Sequence, residues 1–139
     1  MRAIRTLSRI DSTCAARLNK ALLALALLFI LNTSVQAETA WYSPHDAQNH
    51  IGETVWICGV VGSSRYADSS RGSPTYINLG PAFPNHVFTA LIWGSDRHKF
   101  NQPPERMEGL ICVRGAVESY RGVPQIVVTD PSQIQTGNK

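Results

Sequence analysis

The sequence has no apolar run long enough to cross a bilayer. Its longest, ALLALALLFIL at residues 21–31, is eleven residues, against about 20 for a spanning helix. Cysteine is scarce: Cys14, Cys58 and Cys112 are the whole complement. There is no Cys-x-x-Cys pair and no histidine pair beside one, so a four-ligand zinc site is not encoded. No serine sits in a Gly-x-Ser-x-Gly elbow. The four histidines, His45, His50, His86 and His98, lie in or beside turns without metal-motif spacing. The acids Asp68, Asp96, Glu105, Glu108 and Glu118 are scattered over separate segments, where a hydrolytic metal site needs them convergent. These absences argue against catalysis and against a metal or other cofactor.

Five basic residues (Arg2, Arg5, Arg9, Arg17, Lys20) precede the apolar run, and Val35-Gln36-Ala37 follows it. A basic start, a short apolar stretch and small residues at a cleavage position describe a secretory signal peptide over residues 1–37, cut after Ala37. No Arg-Arg pair marks the folded-export route and no Cys directly follows the run, which argues against a lipoprotein anchor. The expected location is the periplasm or the exterior, with no stable membrane insertion after cleavage. Charge follows the same division. The whole chain is +3, but residues 38–139 carry eight Lys and Arg against nine Asp and Glu, a net −1. A broad electrostatic footprint for nucleic acid is therefore missing from the exported part.

Residues 38–139 suffice for one domain. The stretch SPHDAQNHIG at residues 43–52 reads as a short N-terminal helix, with Ser43 as cap and Pro44 in its first turn. Five strands follow: TVWICGVVGSSRYA, PTYINL, HVFTALIW, GLICVRGAVESY and VPQIVVTD. They are rich in β-branched and aromatic residues and are separated by turn chemistry. Glycines inside the first and fourth strands predict bends or bulges. Between the third and fourth strands, GSDRHKF predicts a short helical segment capped by Ser95 or Asp96 and stopped at Pro103-Pro104. Five strands with a helical segment after the third match the order of an OB-fold, a five-stranded Greek-key barrel. In that barrel the first and fourth strands are antiparallel neighbours, and these carry Cys58 and Cys112. A Cys58–Cys112 disulfide is the expectation for an exported chain, with metal binding as the competing use of the pair.

The runs ICGVV, SRGSPTYINLG, FPNHVFTALIWGSDRHKF and ICVRGAVESYRGVPQIVVTDPSQI carry a resemblance to small exported bacterial proteins with one nucleic-acid-binding-like OB-fold. It covers most of residues 50–134, and similar stretches resemble the non-catalytic barrel scaffold of thermonuclease-like proteins. The resemblance implies the fold and a binding role.

On an OB-fold the usual ligand face is made by the second and third strands with the loops after strands one and four. Arg65, Tyr66 and Arg71 fall in the first loop region, and Tyr120 and Arg121 in the other. On the second strand Tyr76 and Asn78 share one face, while Thr75, Ile77 and Leu79 share the opposite one. Phe88 and Trp93 divide between core and surface, and Trp93 joins the candidate contacts. Tyrosines here can stack on bases and arginines can hold phosphates. The plainer role of Tyr76, covering the barrel with its hydroxyl in water, stands beside this. The expected function is non-catalytic binding of single-stranded nucleic acid. Recognition of a protein, a glycan or another small anionic ligand on the same face is the alternative, ahead of a hydrolase.

Overall fold

The computed structural model describes residues 40–137; the expected signal peptide, residues 1–37, lies outside them. Seven strands form one sheet: β1 (Trp41–Tyr42), β2 (Thr54–Tyr66), β3 (Thr75–Leu79), β4 (Phe88–Ile92), β5 (Leu110–Tyr120), β6 (Val123–Val127) and β7 (Ile134–Thr136). The order is β1-β2-β3-β4-β6-β5-β7, and an additional β2–β5 pairing closes the middle five strands into a ring. Within that ring only β4 and β6 run parallel. These five are the predicted strands in OB-fold order, so the expected barrel is present. The two-residue β1 and three-residue β7 extend its edges beside β2 and β5.

Side-chain alternation explains the closure. Val55 and Ile57 on β2, Ile77 and Leu79 on β3, and Ile111 and Val113 on β5 all point inward and are buried. Phe88, Ala90 and Ile92 on β4 are wholly buried, as is Ile126 on β6. Strands with a period of two thus present one apolar face each to a shared interior. β2 is long enough to pair with β5 along its first half and β3 along its second, and it bends at Gly62. It leaves β5 after Val60 and joins β3 from Val61, and its register against β3 shifts between Val61 and Ser63. A Cβ at residue 62 would collide with the backbone of Gly80 and Pro81. Only glycine fits that crossing.

The helical expectations are corrected in detail. The predicted N-terminal helix is a 3-10 turn at Ala47–His50, and Ser43 donates its hydroxyl to Asp46 (2.7 Å) instead of capping it. The turn still plugs the barrel, since Ala47 is fully buried in the core. The segment between β4 and β5 is two separate 3-10 turns, Arg97–Lys99 and Pro104–Arg106. Asp96 makes no cap bond; it accepts from Lys99 Nζ at 2.7 Å. Pro104 starts the second turn rather than ending the first, because proline suits an initial helical position. Runs this short favour 3-10 geometry over α-helix.

Cys58 and Cys112 form a disulfide across directly opposed positions of β2 and β5. The bridge therefore pins the seam that converts the sheet into a ring.

Candidate ligand-binding cleft

The bend at Gly62 aims the second half of β2 across the outer face of the sheet. There the register sets Ser63 opposite Asn78, Asn78 opposite Thr89 and Thr89 opposite Gln125. Opposed residues share a face, so four polar side chains make one row across β2, β3, β4 and β6. Two residues along β2, Arg65 stands opposite Tyr76. A cleft of about 400 Å³ lies over this surface, within the range of small-ligand sites.

The floor of the cleft is a hydrogen-bonded chain. Thr89 Oγ1 donates to Asn78 Oδ1 at 2.9 Å, and Asn78 Nδ2 donates to Ser63 Oγ at 3.1 Å. The Phe83 N–H donates to the same serine oxygen at 3.0 Å. Asn78 is only 5% exposed, and its amide ties β3 to β2 and to β4. A buried amide with these bonds is structural first. Gln125 lines the same floor and makes no side-chain hydrogen bond among the described residues. It is the floor amide left to a ligand.

The walls are aromatic and basic. From the β3–β4 loop, residues 80–87, come Phe83 and His86, stacked at 5.6 Å and 26°. His86 Nδ1 is buried without a hydrogen-bond partner among the described residues. From the β5–β6 turn come Tyr120 and Arg121, whose guanidinium lies 5.4 Å from the tyrosine ring centroid. Arg65 and Tyr76 complete the lining, which holds no carboxylate. Glu118, opposite Gln125 on β5, follows the polar row beyond the lining.

Tyr120 pairs with Val123, leaving a two-residue turn with φ +50° at Arg121 and +83° at Gly122. Two positive φ values define a type I′ hairpin turn, for which Asn-Gly is the preferred pair. An arginine in the left-handed region costs about 1 kcal/mol. Arg121→Asn is expected to raise the unfolding free energy by about 0.5–1 kcal/mol through relief of that cost, while weakening any anionic ligand. Urea denaturation measures the first effect; an unchanged or lower midpoint would show that Arg121 is not held against its preference.

Of the residues singled out in the sequence, Arg65, Tyr76, Asn78, Tyr120 and Arg121 are brought together in this cleft. Tyr66, Arg71 and Trp93 are outside it. Tyr66 follows Arg65 directly, so strand alternation turns it to the other side; its ring packs under the Arg97 guanidinium at 3.7 Å. Trp93 is 39% exposed and lies against Gly72, while Phe88 is the core member of the pair. Arg71 is exposed in the loop at residues 67–74. Phe83 and His86 were not singled out, because a segment with Pro81 and Pro84 reads only as a turn; the apolar Phe83 between the two prolines was the available signal.

A five-stranded Greek-key ring with an open cleft on its outer face defines an OB-fold module. No family model and no curated protein matches this sequence. Among solved structures, the chain is similar to OBody AM1L10 bound to hen egg-white lysozyme, with 20% identity and a TM-score of 0.50 over 76% of this chain and 100% of that one. OBody AM2EP06 bound to the same protein gives 17% identity and a TM-score of 0.49, covering 76% and 99%. An aspartyl-tRNA synthetase from Entamoeba histolytica gives 15% identity and a TM-score of 0.47 over 71% of this chain. This chain spans 21% of the synthetase's length. At these identities the first likeness bears on the fold alone.

Proposed function

We propose that this chain is a non-catalytic OB-fold binding protein of the periplasm or exterior that holds single-stranded nucleic acid in the cleft. The observation that carries this reading is the composition of the lining: Arg65 and Arg121, the rings of Tyr76, Phe83 and Tyr120, and no carboxylate. Flat rings joined by negative charges are the complementary chemistry, since aromatic side chains stack on bases and arginines neutralise phosphates. An uncharged glycan would use the aromatic surfaces but leave both arginines without an anionic partner. The disulfide suits an oxidising compartment. Among the described residues no helix is long and apolar enough to cross a membrane.

Two arginines set a modest electrostatic term. With about 0.7 counterions released per neutralised phosphate on a single strand, the slope of log K against log salt is expected near −1.4. Arg121→Gln should reduce it to about −0.7. Fluorescence anisotropy with a labelled oligo-dT decamer across a salt series measures both values. Binding of the decamer with no salt dependence, or no binding at low salt, sinks the reading.

A further inference from the structure

Phe83 is 71% exposed, which is unusual for the most apolar ring size a protein carries. Its backbone is held in place. Its N–H is held by Ser63 Oγ at 3.0 Å, and two residues on the Asn85 N–H closes a turn onto Ala82 O at 2.9 Å. Pro81 and Pro84 flank it and restrict the backbone further. His86 stacks against the ring at 5.6 Å. The loop backbone is therefore held, and the ring stands in water at the rim of the cleft, backed by a neighbour.

The parallel pairing of β4 and β6 gives this rim its second side. The loop at residues 80–87 leads into β4 and the turn at Arg121-Gly122 leads into β6, so both leave the sheet at the same end. Both border the cleft, so Phe83 from the one and Tyr120 and Arg121 from the other line the same space.

We infer that Phe83 is the stacking platform of a subsite for one unpaired nucleobase, in the cleft where Arg121 can take a phosphate of the same strand. The subsite rests on the nucleic-acid reading of the cleft. It adds a contact from the loop between β3 and β4, outside the two flanking loops that usually serve the ligand face of this fold.

The test compares an oligo-dT decamer with a decamer of the same backbone carrying abasic sites throughout, on the wild-type protein and on Phe83→Ala and Phe83→Trp. Base stacking is worth a factor of about ten per ring. Phe83→Ala should weaken the oligo-dT decamer about tenfold and leave the abasic decamer unchanged. Phe83→Trp should restore the affinity, with indole emission quenched by oligo-dT and not by the abasic strand. Unchanged thermal unfolding of both variants shows that the loop is intact, as an exposed side chain leads one to expect. Equal weakening of both decamers by Phe83→Ala, or no weakening of either, removes the subsite and leaves the nucleic-acid reading standing. If neither decamer binds the wild-type protein at low salt, the reading itself is lost and the subsite with it.

Discussion

Replacing Cys58 and Cys112 together with alanine is expected to lower the unfolding free energy by about 4 kcal/mol. The two residues are 54 apart in sequence, and the loop-closure entropy removed from the denatured chain grows with that separation. Their position enlarges the consequence. They are opposed on β2 and β5, the pairing that closes the ring and the one with the largest sequence separation among its antiparallel contacts. Both side chains are half-buried on the outer face, so alanine opens no deep cavity and the loss is mainly in the denatured state. Urea unfolding of the double variant should therefore show a lower midpoint together with a steeper dependence on urea, because the uncrosslinked chain exposes more surface. Reduced wild-type protein should follow the same curve. A difference below about 1 kcal/mol would mean that the denatured chain is already closed at this seam.

Most of the ring was legible because its strands are long, β-branched and punctuated. The glycines in TVWICGVVGSSRYA marked a bend, and Gly62 is where the register of β2 against β3 shifts, just past its change of partner. The cysteines named which strands adjoin. β1 and β7 were not legible, since two and three residues carry no period; they exist because β2 and β5 offer them free edges. The helical segments were overestimated for a related reason. Capping signals mark where a turn can start, but the three or four residues that follow here cannot repay nucleation of an α-helix.

The cleft was legible in part, and strand geometry explains the division. Tyr76 and Asn78 share a face by alternation, and the structure keeps them together on the cleft side. The same rule separates Arg65 from Tyr66: the ligand-face reading groups both with the first loop region, but they lie within β2, which runs to Tyr66. Asn78 carries no outward sign that Thr89 and Ser63 engage its amide, since those partners come from other strands. Phe83 and His86 depend on a loop path that no periodicity describes.

Arg97→Ala is expected to cost about 3 kcal/mol, as the loss of one partner from a largely shielded ion pair does. The side chain joins three elements. Its Nη1 donates to Thr75 Oγ1 at 2.7 Å and to Glu105 Oε2 at 2.6 Å, and its Nη2 donates to Glu105 Oε1 at 3.2 Å. Its guanidinium also covers the Tyr66 ring. Truncation strands the fully buried Thr75 hydroxyl and leaves Glu105 without its hydrogen-bonded counter-charge, while the 3-10 turn at Pro104–Arg106 loses the bridge that Arg97 makes to Thr75 on β3. Arg97→Lys should recover only part of the loss, because an ammonium cannot reproduce the two-pronged contact. Acid adds a sharper signature. The hydrogen bond from Arg97 holds the Glu105 carboxyl below its ordinary range. A depressed folded-state value means stability that is fully present above the unfolded carboxylate's pKa and is lost as pH falls through the lower folded value. Asp130 is also depressed, by its bonds to Ser132, and contributes to the acid slope of every variant. The difference between wild type and Glu105→Gln, measured by urea unfolding from pH 6 downward, therefore isolates Glu105. That difference should favour wild type near pH 6 and shrink below the usual carboxylate range, since the glutamine variant has no charge there to lose. Parallel curves for the two proteins would show that the ion pair contributes nothing that protonation removes.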